Sequence, residues 1–205
     1  MWHDRGTYKV HHAEQGTGSW KESRKGIVTS SNFGTVAGRN RYKSRQEYID
    51  QWKSGTEETF SEVAKAHMAR GTRLEPYVRS YYENLEGVKV QEIGLAVPKW
   101  DVRIGSSTDG LVGTEGCIEI KCPARMYSRL GNLNFKQIDR ILPTHYDQMQ
   151  GTMAILARSW CDYVVYCEST GKLYVERVAY DHDYWLELYG HLQEFMREVG
   201  LEAHT

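Results

Sequence analysis

The run Cys117-Ile118-Glu119-Ile120-Lys121-Cys122-Pro123 constrains this chain most, because it is an apolar strand that carries an acid and a base on one side. A strand repeats every two residues, so Ile118 and Ile120 share one face while Glu119 and Lys121 share the other. An Ile-rich strand belongs in a sheet, and charges turned inward there are costly unless they pair or meet a metal. The fold must therefore cover this strand and still give its charged face a partner.

A second carboxylate lies close by in sequence. Val102-Arg103-Ile104-Gly105-Ser106-Ser107 alternates like a strand, and Asp109-Gly110 is expected to turn the chain before the short apolar run at Leu111-Val112. Such a hairpin brings Asp109 back beside Glu119. Two oxygen donors suit a hard cation such as Mg²⁺, which uses few carboxylates and keeps room for water and phosphate oxygens. A lysine beside them is suited to orienting or deprotonating an attacking water, or to steadying charge on a phosphate under attack. Taken singly, Asp-Gly is a common turn and Glu-x-Lys a common solvated face. Their conjunction makes phosphodiester hydrolysis the leading chemistry.

A third acid sits in Gly71-Thr72-Arg73-Leu74-Glu75-Pro76. Thr72-x-x-Glu75 reads as a capping box, and Pro76 fits the first turn of a helix, so a helix is expected to begin near residue 73 with Glu75 at its start.

The order Gly-x-x-x-Glu (Gly71 to Glu75), Ser-x-Asp-Gly (Ser107 to Gly110), Glu-x-Lys-Cys-Pro (Glu119 to Pro123) and Gln-x-Gln (Gln148, Gln150) resembles the lambda-type, YqaJ-like exonucleases. These are the viral recombinase branch of the PD-(D/E)xK nucleases. The segment from Trp20 through Arg24 and Gly26 to Thr29 and Ser31 is similar to the family's N-terminal motif, so the likeness runs from about Trp20 to Ala157. It implies an α/β (α+β) restriction-endonuclease-like core, a central mixed sheet flanked by helices. It further implies that Asp109, Glu119 and the backbone carbonyl of Ile120 hold Mg²⁺ or Mn²⁺, with Lys121 as catalytic lysine and Glu75 supporting the site or a second metal. Gln148 matches the glutamine near the active site, and Arg24, Ser31 and Ser107 match positions that hold the 5′-phosphate of DNA. Thr108 stands where the superfamily has its proline, which supplies no ligand, and Thr152 stands where many relatives have tyrosine.

From the residues alone, Arg24 offers a planar fork suited to phosphate, with hydroxyls at Thr29, Ser30 and Ser31 nearby. Ser31 is equally suited to cap the following helix, and Arg24-Lys25 to lie on the surface. His145 is either a satisfied surface histidine or a contact of the metal site or DNA.

With 205 residues, 40% of them hydrophobic, the chain has material for one core. A single domain over 1–205 is expected, with 1–18 as an N-terminal tail. No apolar run spans a membrane and no secretory leader is visible, so a cytoplasmic or otherwise intracellular protein is expected, and the resemblance implies an infected host cell. Cys117, Cys122, Cys161 and Cys167 form no Cys-x-x-Cys pair, so buried free thiols are expected in place of a disulfide framework, a zinc site or an iron–sulfur cluster. Net charge is −1, but residues 1–53 hold ten Lys/Arg against five Asp/Glu, whereas 162–205 hold three against nine. Arg39, Arg41, Lys43 and Arg45 are the candidates for a groove that contacts phosphates without reading sequence. The acidic C-terminal part is left to face solvent or a neighbouring subunit.

Helices are expected near 30–37, 44–53, 58–69, 73–86, 144–157 and 181–199, and strands near 88–97, 102–107, 111–113, 117–121, 162–168 and 172–179, the last pair joined at Ser169-Thr170-Gly171. The expected function is Mg²⁺-dependent 5′→3′ degradation of one strand of linear duplex DNA from a 5′-phosphorylated end. The resemblance also implies a ring-shaped homotrimer and a single-strand annealing protein as partner for the 3′ overhang. A structure-specific or repair endonuclease of the same fold, and a non-catalytic DNA-end-binding module, are the alternatives.

Overall fold

The computed structural model describes residues 1–13, 17–56 and 59–202, so residues 14–16 of the expected tail and residue 58 of an expected helix lie outside the described residues. The start of the chain is not a tail. Strands β1 (Trp2–Asp4) and β2 (Tyr8–His11) form an antiparallel hairpin, and β2 pairs in turn with the segment Leu95–Pro98. The alternation Tyr8-Lys9-Val10 explains it: Tyr8 and Val10 are buried while Lys9 stays in solvent. Helix α1 (Gly18–Ser23), absent from the sequence expectation, is short and capped by Thr17, whose hydroxyl accepts from the Trp20 amide. After β3 (Val28–Thr29), a 3₁₀ turn over Ser30–Asn32 leads into α2 (Phe33–Val36). Helix α3 (Arg45–Ser54) starts at a full Ser44/Glu47 capping box and ends at Gly55, in the left-handed region at φ 65°.

The two helices expected at 58–69 and 73–86 are one. Helix α4 (Glu62–Glu86) runs through Gly71 and Pro76 without a break, its N-cap is Ser61, and Thr72 caps nothing. The Thr72 hydroxyl instead donates back to the Met68 carbonyl. Pro76 costs the helix one backbone bond. Leu74, Val78 and Tyr82, one face of α4, are buried against the sheet, and that packing outweighs the loss. Glu75 thus lies mid-helix.

The strand expected at 88–97 divides between two sheets as β4 (Val90–Gln91) and β5 (Leu95–Pro98), and that expected at 102–107 contracts to β6 (Ile104–Gly105), parallel to β3. Asp109-Gly110 is not the hairpin turn. Gly110 opens β7 (Gly110–Val112), the chain turns at Gly113-Thr114-Glu115, and β8 (Gly116–Lys121) returns antiparallel with Gly110 opposite Ile118. A glycine is needed at 110 because a Cβ there would lie 2.1 Å from Val90 Cγ1.

Helices α5 (Gln137–Arg140) and α6 (Pro143–Leu156) cross over from β8 to β9 (Trp160–Cys167), which runs parallel to β8. A hairpin through Gly171 then leads to β10 (Lys172–Ala179), and α7 (His182–Glu198) follows. The central mixed sheet has the order β10-β9-β8-β7-β4. Ile118 and Ile120 pack with Leu74 and Val78 of α4 on one face, while Cys117 joins the larger core built with α2, α6 and α7 on the other. Helices on both faces thus cover β8, as its composition demands. All four cysteines are free, three of them buried. Among the described residues no helix is long and apolar enough to cross a membrane.

Candidate active site

The β7–β8 register sets Asp109, one residue before β7, beside the end of β8. There the Asp109 Oδ2 accepts from the Ile120 amide at 2.6 Å. Glu119 and Lys121 leave β8 on the same side, with Lys121 Nζ 2.7 Å from Glu119 Oε1. Helix α6 lays Gln148 across both: its Nε2 donates to Glu119 Oε1 at 2.7 Å and its Oε1 accepts from Lys121 Nζ at 3.1 Å. Glu119 is 2% exposed, and its second oxygen, Oε2, is buried without a hydrogen-bond partner. A bare carboxylate oxygen in such a place costs free energy that a cation would recover.

Electrostatics agree with that geometry. Burial, with the Glu119 and Glu75 charges nearby, pushes the Asp109 carboxyl well above its usual range. Burial opposes the Lys121 charge, yet Glu119 and Asp109 outweigh it and raise the ammonium's pKa, so Lys121 stays protonated. Glu75 is raised chiefly by burial, against the pull of Arg79. It is held by Arg79 at 2.5 Å. Among the described residues no three His, Cys, Asp or Glu side chains converge closely enough to hold a metal ion by themselves. The orphaned Glu119 oxygen, with the Asp109 carboxyl nearby, is a donor set that would fit a divalent cation.

Ser107, distant in sequence, joins Arg24 and Ser31 in one cluster. Arg24 donates to Ser107 Oγ at 3.2 Å and to Thr29 Oγ1 at 2.9 Å, and Thr29 Oγ1 lies 3.3 Å from Ser31 Oγ. The Trp20 ring lies under the guanidinium, 4.3 Å away. Burial pushes the Arg24 pKa down, and among the described residues no carboxylate ion-pairs with it. A half-buried fork with hydroxyl partners and no carboxylate paired to it is suited to an anion.

Two of the other basic candidates, Arg39 and Arg45, are paired with acids of the same chain. Arg39 donates to the buried Asp147 at 2.5 Å, to the Tyr184 hydroxyl at 2.7 Å and to Glu187 at 2.9 Å. Arg45 grips Glu198 with both Nη atoms. Arg39 and Arg45 thus each pair with an acid on α7 of the same chain, and these two arginines are structural. Arg41 stacks on the exposed Tyr42.

Thr108 does what proline cannot: its hydroxyl donates to the Ile118 carbonyl at 2.9 Å, pinning the Asp109 turn to β8. Thr152 meets Ser106, Oγ1 to Oγ, at 2.9 Å. Gln150 is structural, its amide bridging the Ala179 carbonyl and the Asp181 amide. His145 lies half-buried with Nδ1 2.6 Å from the Tyr163 hydroxyl; burial and nearby Lys121 drive its pKa well below normal, so it is neutral. The residue that sequence reading missed is Arg79, whose Nε donates to the Asp109 carbonyl at 3.1 Å. Its place four residues after Glu75, one helical turn, was the available signal.

A mixed sheet covered by helices on both faces is a fold that this chain shares with known exonucleases. An alkaline exonuclease (LHK-Exo) from Laribacter hongkongensis superposes with a TM-score of 0.74 at 32% identity, over 90% of this chain and 93% of that one. The same protein in complex with dAMP gives 0.74 at 33% over the same shares. A phage-related exonuclease from Haemophilus somnus shares the fold, with a TM-score of 0.65 at 11% identity over 84% of this chain and 93% of that one. No curated protein matches. Residues 19–172 match the YqaJ-like viral recombinase domain, and the chain belongs to that family.

Proposed function

We propose that the protein is a Mg²⁺-dependent exonuclease that degrades one strand of linear duplex DNA in the 5′→3′ direction from a phosphorylated end. The observation that carries this reading is the short stretch Ser107–Asp109. Ser107 belongs to the Arg24 cluster and Asp109 to the Glu119–Lys121 cluster, so an anion grip and a hydrolytic site are joined through one intervening residue. Arg24, Ser107 and Ser31 hold the terminal 5′-phosphate. Asp109, Glu119 and the Ile120 carbonyl would hold the cation, which would supply Lewis acidity to the scissile phosphate and the attacking water. Lys121, kept as an ammonium, orients that water and steadies charge on the phosphate, while Gln148 fixes Lys121 and Glu119 relative to each other. Water adds to phosphorus and the bond to the 3′ oxygen breaks. The nucleotide leaves with its 5′-phosphate, and the proton lost by water goes to solvent or the departing oxygen. Cleavage on that side leaves a new 5′-phosphate on the next residue, so the grip meets the same group at each cycle. The dAMP complex of the related LHK-Exo is consistent with a mononucleotide product.

The reading extends to a homotrimeric ring around the DNA, to a single-strand annealing protein that takes up the 3′ overhang, and to work inside an infected cell. Digestion of linear duplex DNA in Mg²⁺ tests the core of it, with 5′-phosphate and 5′-hydroxyl ends, a closed circle and Lys121→Ala compared. Shortening of the phosphorylated strand from its 5′ end, with the circle and the variant reaction intact, supports it. Cut circles or loss of the 3′ strand would replace it with an endonuclease or the opposite polarity, and persistent end binding without cleavage with a binding module.

A further inference from the structure

Arg79 is the buried cation of this site that the proposed chemistry does not use. Its side chain is 11% exposed and spends all three nitrogens on different segments. Nε donates to the Asp109 carbonyl at 3.1 Å, one Nη to Glu75 Oε1 at 2.5 Å, and the other Nη lies 2.6 Å from Glu92 Oε1 in the loop between β4 and β5. The Glu92 side chain is 71% exposed, so this last partner is supplied from the surface. Glu75 Oε1 is therefore held by Arg79, while Glu119 Oε2 is buried without a hydrogen-bond partner. Among the described residues no third carboxylate is assembled with Asp109 and Glu119 into a metal cluster.

We propose that Arg79 is a positioning residue that fixes the Asp109 backbone and holds Glu75 in reserve, so that the site takes a first divalent cation on Asp109 and Glu119 and a second only when Glu75 leaves Arg79. This rests on the reading that Asp109 and Glu119 hold a divalent cation. The physical basis is competition: a carboxylate paired with a buried guanidinium must give up that pair before it can serve a metal. Glu92 lowers the cost of the exchange, because Arg79 keeps a counter-charge after Glu75 departs.

The test is calorimetric titration of the metal-free protein with Mn²⁺, without DNA, paired with the melting temperature at each Mn²⁺ concentration. Wild type is expected to bind one equivalent well and a second weakly. In Arg79→Met the second equivalent should tighten by roughly ten- to a hundredfold, the range over which groups supporting metal ligands act. The metal-induced rise in melting temperature should grow with it, and Arg79→Met/Glu75→Gln should lose the gain. Glu92→Gln, at an exposed position, should weaken the second equivalent in a folded protein and stands in if the Arg79 variants fail to fold. A wild type that binds no Mn²⁺ overturns the metal-site reading itself. Binding in wild type, with an unchanged second equivalent in folded Arg79 and Glu92 variants, overturns this inference alone.

Discussion

Gln148 bridges Glu119 and Lys121, donating to one at 2.7 Å and accepting from the other at 3.1 Å. An amide can do both at once, whereas an ionised carboxylate accepts only and an ammonium donates only. Gln148→Glu would set a second carboxylate against Glu119, and Gln148→Ala leaves Lys121 one acceptor fewer. Either change is expected to lower kcat on linear duplex DNA by roughly ten- to a hundredfold. Circular dichroism should show the fold retained, and an unchanged rate would remove Gln148 from the site.

Asp109 carries a testable sign. Its folded-state pKa lies above the ordinary value of 3.8, so the protonated form favours folding. The stability it contributes is complete below the unfolded value and is lost as pH rises through the folded one. The metal-free protein should therefore gain stability when the charge is removed. Asp109→Asn is expected to melt higher than wild type at pH 7.5 in EDTA, by at least about 2 °C, and to show no rise with added Mg²⁺. A lower melting point for the variant in EDTA contradicts the electrostatic reading.

Asp101 has the opposite sign. Burial opposes its charge, but bonds from Arg103 and Tyr189 outweigh burial and hold its pKa below 3.8. Its contribution is present above the unfolded value and lost as pH falls through the folded one. Tyr189 donates to Asp101 at 2.7 Å and Arg103 also reaches the Leu201 carbonyl, so the pair clamps α7 to the loop before β6. Asp101→Asn should cost roughly 3 kcal/mol at pH 7, the scale for a broken buried pair, and urea melts at pH 7 and pH 3 should show the difference shrinking with acid.

Much of the site was legible because its parts are local. The period of two in Ile118-Glu119-Ile120-Lys121 fixes which side chains share a face whatever the rest of the fold does. The hairpin that returns Asp109 to Glu119 needs only a short loop, although its turn is at Gly113 and not at Asp109-Gly110. What failed depends on distant packing. Pro76 and Thr72 are honest local signals of a helix start, overruled because the sheet buries Leu74, Val78 and Tyr82 on one continuous helix. The run of basic residues at 39–45 says nothing of the acids on α7, more than 140 positions away, that claim Arg39 and Arg45. The spacing of one helical turn sets Arg79 beside Glu75, but its second acceptor, the Asp109 carbonyl, is backbone that no side-chain pattern reveals.

Arg24 reaches Ser107 and Thr29 with two different nitrogens, so shape matters there as well as charge. Arg24→Lys keeps the charge but loses the fork. Wild type should prefer 5′-phosphate over 5′-hydroxyl ends, and the variant should lose roughly ten- to a hundredfold of that preference, the worth of a charge-assisted hydrogen bond of about 1.5–3 kcal/mol. Cleavage of 5′-hydroxyl ends should change little. Equal losses on both kinds of end would assign Arg24 to structure.

Gly151 links stability to catalysis. It lies three residues after Gln148 on α6, where a Cβ would meet the Phe33 ring of α2 at 2.3 Å. Phe33 is fully buried and itself near Trp185, so the ring has little room to move away. In Gly151→Ala the helix must shift instead, with a cost of about 1–3 kcal/mol for overpacking. Because Gln148 rides on the same helix, the shift also moves its amide relative to Glu119 and Lys121. A displacement of about 1 Å at reacting groups costs on the order of a hundredfold in rate. The variant should therefore show a lowered melting temperature and a fall in kcat at temperatures where it is still folded. Phe33→Leu in the same background opens space beside residue 151 and should recover part of both. Recovery of stability without recovery of rate would show that α6 position does not govern the Gln148 bridge.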